Sequence, residues 1–290
     1  MTFASTIRTY GRMVRFSHSI FALPFALAGA AFAAIEHGVT VAQIFWIVLA
    51  MVAARNAAMG FNRLADQSYD AANPRTSERE LPRGLLSRQA VWALVVALSV
   101  LFVFVASRLN PLCLALSPVA LGVIFLYSFT KRFTWATQFF LGLSLGIAPV
   151  GGWLAIRGSI HPAPLVLSAA VLAWVAGFDI IYASQDVEFD RRAGLRSIPQ
   201  RFGIARALQT ARCLHVLTVA LLASIAWLLP LHPAYLAGVA LVGVCLTVEN
   251  ALVRADDLSR VNHAFFTANG IVSLVYLAAS IAGIALGSPR

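Results

Sequence analysis

Charged side chains are scarce in this sequence. Only 12% of its 290 residues are Asp, Glu, Lys or Arg, whereas about a quarter is usual for a soluble domain. Hydrophobic residues make up 60% of the chain, and the mean hydropathy is +0.80. This composition excludes an ordinary soluble domain and indicates a protein embedded in a lipid bilayer.

Cysteine is also rare. The three cysteines, Cys113, Cys213 and Cys245, lie far apart in apolar surroundings, and no two form a Cys-x-x-Cys pair. Their spacing excludes a disulfide framework and a cysteine-based metal site. We interpret them as small hydrophobic fillers.

Long hydrophobic runs dominate what is present. About 20 apolar residues cross roughly 30 Å of hydrocarbon. The first run is long enough to span and is not followed by a signal-peptide cleavage site, so we keep it as a helix. We predict an all-α polytopic membrane protein, one domain over residues 1–290, with nine transmembrane helices. The predicted helices are 16–35, 41–66, 90–107, 110–128, 133–156, 164–185, 208–229, 233–252 and 263–286.

Basic residues outnumber acidic ones, 22 to 12, and they are unevenly distributed. If the N-terminus is cytoplasmic, the opposite side holds only Arg108, Arg157 and Arg290. This asymmetry predicts an N-in, C-out protein of the cytoplasmic (inner) membrane. The polar segments of about 67–89 and 186–207 then both face the cytoplasm. Because the basic residues are divided among membrane loops, we expect no nucleic-acid partner.

One polar pattern occurs twice, each time where a hydrophobic run meets an arginine-rich segment. Its core is a pair of aspartates four residues apart, Asp66 with Asp70 and Asp186 with Asp190. Carboxylates cost several kcal/mol at membrane depth, so four of them at helix ends indicate a site for a cation or ligand. Mg²⁺ prefers carboxylate oxygens together with substrate phosphates. The pattern therefore predicts an integral membrane enzyme that acts on an isoprenoid diphosphate.

The helical period places further polar residues beside these aspartates. Asn62 lies one turn before Asp66, and Arg55 lies within about 20° of the same face. Asp179 and Tyr182 precede the second pair at similar spacing. We expect two polar stripes to face each other, with magnesium ions and a diphosphate between them and the two polar loops capping the site.

A diphosphate leaving group also needs cations, and the allylic cation that it leaves behind needs aromatic faces. Neutralising the leaving group lets the carbon–oxygen bond ionise, and aromatic rings stabilise the cation. An electron-rich aromatic acceptor then attacks, and a carboxylate takes the ring proton. The basic candidates are Arg15, Lys131, Arg132, Arg75, Arg79, Arg191 and Arg196, and the aromatic candidates are Tyr127, Phe129, Trp135, Phe178 and Tyr182.

Taken together, four segments resemble the UbiA superfamily of intramembrane prenyltransferases. They are residues 15–24, 62–84, 127–134 and 179–190, and the resemblance runs nearly end to end. It implies nine helices around a lipid-open central cavity, two magnesium ions and a polyprenyl diphosphate donor.

The resemblance also implies roles for individual residues. It assigns magnesium and diphosphate to Asn62 and the four motif carboxylates, which are Asp66, Asp70, Asp186 and Asp190. It assigns the diphosphate or the acceptor's carboxylate to Lys131, Arg55 and Arg15, and it places Asp179 and Tyr182 beside the reacting ring. With Tyr127 and Arg196 as further substrate-binding candidates, these residues form the predicted site.

The acceptor is left open by the sequence. The chain is similar to the 4-hydroxybenzoate polyprenyltransferases of ubiquinone synthesis and at least as similar to relatives that prenylate a naphthoate in menaquinone synthesis. Many family members have Asn-Asp at the first motif, whereas here Asn62 is followed by Arg63, which removes one possible magnesium ligand. Alternatives are a cation- or proton-coupled transporter and prenyl transfer to haem or to a glycerol phosphate.

Overall fold

A computed structural model describes residues 9–11, 13, 21–36, 38–261 and 267–287. Within these ranges the regular structure is helical, and extended residues pair only in an isolated bridge between Arg254 and Asp257. The prediction of an all-α protein is therefore confirmed. In chain order, the helices are α1 (Leu23–Ala33), α2 (Val41–Ala65), α3 (Gln67–Ala72), α4 (Arg88–Leu109), α5 (Pro111–Thr130), α6 (Thr137–Arg157), α7 (Pro162–Ala183), α8 (Val187–Ala193), α9 (Ile198–Phe202), α10 (Ile204–Leu228), α11 (Ala234–Leu252) and α12 (Asn269–Ala285).

Seven of these helices are long and apolar enough to cross a membrane: α2, α4, α5, α6, α7, α10 and α11. The 3₁₀ turn Ser184–Asp186 and α8 continue α7 at its C-terminal end. The shorter apolar helices α1 and α12, of 11 and 17 residues, coincide with the first and ninth predicted spans and adjoin residues outside the described ranges. A multi-pass membrane protein follows from these helices, while nine crossings and the N-in orientation stay predictions.

Polar capping residues explain where several helices begin. Thr40 and Gln43 form a capping box before α2, in which each side chain accepts a hydrogen bond from the other residue's backbone N–H. Ser87 caps α4 by accepting from Ala90 N at 3.1 Å, and Asn110 caps α5 by accepting from Cys113 N at 2.9 Å. These side chains satisfy N–H groups that a helix leaves unpaired at its start.

The helices form two successive halves with the same packing order. In the first half α2 packs on α4, α4 on α5 and α5 on α6; in the second, α7 packs on α10, α10 on α11 and α11 on α12. Helices α6 and α7 join the halves, and α1 packs against α6 and α12. Each aspartate pair follows the first helix of its half, α2 or α7.

Close packing of α1 on α6 depends on glycine. A Cβ atom added to Gly152 would overlap the backbone oxygen of Ala26, and one added to Gly29 would overlap the backbone oxygen of Pro149. Small residues let membrane helices approach this closely. The contact holds α1 against the rest of the bundle.

The core is rich in aromatic side chains, and large apolar side chains also cover the outside. Phe25, Trp174 and Tyr276 are at most 2% exposed, and the Phe25 ring contacts the rings of the other two. By contrast, Trp227 is 86% exposed and Val216 is 71% exposed. An apolar outer surface is what lipid contact requires, because hydrocarbon cannot hydrogen-bond polar groups.

Candidate active site

Both aspartate motifs lie at breaks between helices. Helix α2 ends at Ala65, and Asp66 (φ −96°, ψ 5°) leads into α3; Asp186 has nearly the same backbone conformation (φ −101°, ψ 4°) before α8. Asn62 Nδ2 donates to Asp66 Oδ2 at 3.1 Å, so these two share a face as predicted. The predicted stripe does not continue on one helix to Asp70, because the helix is interrupted at Asp66 and Asp70 belongs to α3.

Asp66 is buried and paired with the turn that follows α5. Its Oδ2 lies 2.9 Å from Lys131 Nζ, and its Oδ1 lies 3.9 Å from Arg132 Nη2. That Oδ1 atom is buried and has no hydrogen-bond partner in the described part of the chain. Asp66 therefore keeps one oxygen available to a further ligand.

Asp70 has two arginine neighbours. Arg79 Nη1 lies 2.6 Å from its Oδ1, and Arg63 Nη1 lies 4.0 Å from its Oδ2. Among the described residues that Oδ2 atom, also buried, has no hydrogen-bond partner. Arg63 thus brings a positive charge close to Asp70.

Arg75 connects the two motifs. Its Nε donates to Asp186 Oδ1 at 2.9 Å, its Nη2 contacts Asp186 Oδ2, and its Nη1 donates to the Tyr182 hydroxyl at 2.8 Å. Burial lowers the pKa of Arg75, but the hydrogen bonds and charges of Asp186 and Tyr182 outweigh it, and the net pKa is raised. Asn73 Nδ2 also donates to Asp186 Oδ1, at 3.4 Å. The two acidic clusters, distant in sequence, therefore meet at one end of the bundle.

The remaining carboxylates lie within range of the same charges. Asp190 accepts a hydrogen bond from Ser197 Oγ at 3.1 Å and interacts electrostatically with Asp186 and Lys131. Asp179 interacts with the same two charges. Tyr127 lies close enough to Asp66 and Asp179 to interact with both.

The turn at Lys131 and Arg132 contacts the end of α2 and the second polar loop. Arg132 Nη2 donates to the backbone oxygen of Ala65 at 2.5 Å, and the backbone N–H of Arg196 donates to the oxygen of Lys131 at 2.7 Å. Arg196 Nη1 donates to Phe133 O at 2.8 Å. In this structure the Arg196 guanidinium therefore binds the backbone of the turn that follows α5. The predicted loops also contain short helices: α3 in 67–89, and α8 and α9 in 186–207. These helices lack long hydrophobic runs, so hydrophobic length alone did not predict them.

One predicted residue, Arg15, lies outside the described residues, and another, Arg55, lies apart from this cluster. Arg55 is in α2, eleven residues before Asp66 and hence about 16 Å along the helix axis, where its Nη1 donates to Asn56 Oδ1 at 3.3 Å.

Several residues of the site were not selected from the sequence. The ring of Tyr69 lies 5.8 Å from Lys131 Nζ and 5.4 Å from the Arg132 guanidinium, so it contacts both cations of the turn. Asn73 and Ser197 each bind a motif carboxylate. The position of Tyr69 between Asp66 and Asp70 could have identified it, because it lies on the short segment that carries both carboxylates.

The donor set fits a divalent cation. Carboxylate and amide oxygens are the ligands that Mg²⁺ prefers, and Asp66 Oδ1 and Asp70 Oδ2 are buried acceptors without a hydrogen-bond partner in the described ranges. In the present side-chain arrangement, no three His, Cys, Asp or Glu residues of the described chain converge on one point. Instead, basic or hydroxyl side chains hold the four motif carboxylates. The metal ligands would therefore have to exchange these partners.

Comparison with known proteins gives consistent relatives. The family model described as the UbiA prenyltransferase family matches residues 22–271. A 4-hydroxybenzoate octaprenyltransferase from Xanthomonas campestris pv. campestris (strain B100) is 33% identical over 231 residues, 79% of this chain and 76% of the relative. The enzyme of the same name from Vibrio atlanticus is 28% identical over 77% of this chain and 78% of its own length.

Solved structures share the fold. The apo structure of a UbiA homolog from Aeropyrum pernix K1 has a TM-score of 0.83 and 35% identity, and covers 91% of this chain and 97% of its own. A UbiA homolog from Archaeoglobus fulgidus, bound to DMAPP and Mg²⁺, has a TM-score of 0.71 at 21% identity, over 96% of this chain and 99% of its own.

Proposed function

The chain belongs to the UbiA prenyltransferase family, and on this premise we propose that it transfers a polyprenyl group from polyprenyl diphosphate to a hydroxyaromatic acid. We further propose that the reaction depends on Mg²⁺ and serves ubiquinone or menaquinone synthesis. One observation supports this most: Arg75, from the segment that follows Asp70, pairs with Asp186, while Lys131 pairs with Asp66 and interacts electrostatically with Asp190.

The metal and the diphosphate are assigned to the polar cluster. Asp66, Asp70, Asp186 and Asp190 would hold magnesium with the help of Asn62, and the bound metal would neutralise charge that develops on the leaving diphosphate. A homolog of the same fold binds DMAPP and Mg²⁺, which is consistent with this assignment.

The basic residues of the cluster would bind the diphosphate. Lys131, Arg75 and Arg79 each already contact a motif carboxylate, so they stand where the phosphate oxygens would lie beside the metal. Preorganised positive charge of this kind stabilises a leaving group without reorganisation during the reaction. These three side chains therefore promote cleavage of the allylic carbon–oxygen bond.

Asp179 is our candidate for the group that accepts the ring proton. The other four aspartates at this end are engaged by a basic or hydroxyl side chain, while no hydrogen bond or ion pair is found for Asp179 in the described part of the chain. Tyr182 and Tyr127 flank it and would orient the acceptor ring. Their aromatic faces would also stabilise an allylic cation.

The acceptor is proposed to be 4-hydroxybenzoate or a naphthoate. The relatives named 4-hydroxybenzoate octaprenyltransferase favour the first, but identities of 28–33% leave the choice to experiment. The membrane side is proposed from the basic residues: the end that carries the site also carries the arginine-rich loops, so we place it at the cytoplasmic face of the inner membrane.

The test is a product assay with purified protein in membranes. A long-chain prenyl diphosphate, Mg²⁺ and both aromatic acids are supplied together, and products are identified by mass spectrometry. We expect one acid to be prenylated, and the product to disappear with Asp66→Ala. No prenylated product from either acid, or undiminished product from Asp66→Ala, would refute the proposal.

A further inference from the structure

A second polar cluster lies inside the helix bundle, away from the aspartate motifs. Glu249 in α11 is 0% exposed, and its Oε1 accepts a hydrogen bond from Asn269 Nδ2 at 2.8 Å. Asn269 Oδ1 in turn accepts from Trp174 Nε1 at 2.8 Å. This chain of buried hydrogen bonds links α11, through the first residue of α12, to α7.

The residue after Glu249 makes a separate connection to α7. Asn250 Nδ2 lies 2.7 Å from His215 Nδ1 in α10, and the His215 ring is buried at 3% exposure. A Cβ atom added to Gly177 in α7 would overlap that ring, so His215 packs directly on the α7 backbone. Two adjacent residues of α11 thus reach α7 through two different helices.

Both connections contact α7 shortly before Asp179, the proposed proton acceptor. Trp174 and Gly177 precede Asp179 by five and two residues, or about 7.5 and 3 Å along the helix. The Trp174 ring also meets the Phe178 ring edge to face, with centroids 5.1 Å apart. A rotation or shift of α7 at this level would be transmitted to Asp179 and Tyr182.

Hydrogen bonds constrain a helix in a way that apolar contacts do not. Apolar surfaces of similar shape can slide past each other, whereas a hydrogen bond is lost when its angle or length departs from a narrow range. Buried polar groups are costly in a membrane core, and fixing one arrangement is a role they can serve.

We propose that Glu249 and Asn250 are positioning residues that fix the rotation and height of α7 and so place Asp179 and Tyr182 opposite the first aspartate motif. For its kinetic consequence, this inference rests on the proposed function. The role needs no charge on Glu249, because Asn269 Nδ2 can donate equally to a glutamine oxygen. Glu249→Gln should therefore preserve the link that Glu249→Leu removes.

The experiment compares these two variants with the wild type and a matched control. Ser280→Ala removes another fully buried polar group, but the Ser280 hydroxyl donates only within its own helix, to Tyr276 O. Amide hydrogen exchange is measured without substrate, for peptides covering residues 174–186 and for peptides from the other helices of the bundle. The kcat and the KM for each substrate are measured on the same preparations.

For Glu249→Leu we expect faster exchange confined to residues 174–186 and a kcat reduced by about ten- to a hundredfold, as misplacement of catalytic groups by about 1 Å can produce. The KM for the prenyl diphosphate should change much less than kcat. Glu249→Gln and Ser280→Ala should match the wild type in both measurements.

Three results would overturn the inference: unchanged exchange in Glu249→Leu, equal damage in Glu249→Gln, or faster exchange throughout the bundle. If Glu249→Leu does not fold, Trp174→Phe removes the indole N–H and keeps an aromatic ring, and unchanged exchange in that variant is equally decisive. If the wild type forms no product, the proposed function fails, while the exchange data still decide the positioning role.

Discussion

Replacing Lys131 with methionine should separate its contact with Asp66 from its proposed role in binding the diphosphate. At 2.9 Å from Asp66 Oδ2, its charge interacts with the carboxylate by about 6 kcal/mol at an effective dielectric constant of about 20. The lysine side chain is 30% exposed, so solvent screening reduces this value. Because Asn62 and Arg132 still contact Asp66 in the variant, we expect a loss of unfolding free energy of about 2–3 kcal/mol, near the lower end for breaking a buried pair.

The effect of Lys131→Met on catalysis should be larger than its effect on folding. Removing one preorganised charge from a leaving group lowers kcat/KM by about 10²–10³, and this is our expectation for the prenyl diphosphate. Steady-state kinetics in detergent or vesicles measure it. Arg254→Gln is the control, since the Arg254 side chain is exposed and, in the described part of the chain, forms an ion pair with the exposed Asp256; it should leave kcat/KM unchanged.

A spectroscopic measurement tests the same contact independently of turnover. Lys131 is the single lysine of the sequence, so reductive methylation with ¹³C-formaldehyde gives one lysine resonance besides that of the N-terminus. This resonance should shift when Mg²⁺ and diphosphate are added together. Wild-type kcat/KM in Lys131→Met, or a lysine resonance that does not shift when Mg²⁺ and diphosphate are added, would show that Lys131 does not bind the leaving group.

Three further predictions concern the metal, the second motif and the α1 contact. Asp186→Ala should reduce turnover at least about a thousandfold, because it removes a proposed metal ligand, while circular dichroism remains that of the wild type; normal turnover would exclude Asp186 from the metal site. Chelation of Mg²⁺ should abolish product formation and re-addition should restore it, whereas activity that persists in chelator would contradict metal dependence. Gly152→Val should lower the thermal unfolding temperature, because its side chain overlaps the Ala26 backbone of α1; an unchanged temperature would mean that α1 can move away without cost.

Hydrophobic length predicted the described membrane helices well because polar residues mark their ends. The run predicted at 41–66 matches Val41–Ala65 within one residue, and Thr40 caps its start. The predicted start at 208 was four residues late for Ile204–Leu228, because Arg206 and Arg212 lie on the first turns of that helix and lower its apparent hydropathy.

The helix break at Asp66 could not be predicted from periodicity. A polar stripe of period 3.6 reads the same whether the helix continues or bends, and only the backbone conformation at Asp66 shows the interruption. That the two aspartate motifs face each other was predicted from the sequence, because both motifs end apolar runs. The Arg75–Asp186 contact depends on how two loops meet, which spacing within one segment cannot specify.

The repeat of the helix order has a consequence for the integrity of the protein. Each half supplies one pair of aspartates, and only the short connection between Arg157 and Pro162 joins the two halves in sequence. A chain cut at that connection would yield two fragments. Each would hold one aspartate pair, half of the proposed metal ligands, and neither could complete the set. Co-expressed fragments would recover a complete set by rebuilding the α6–α7 and α1–α12 interfaces, so their reconstitution would report on the combined strength of those interfaces.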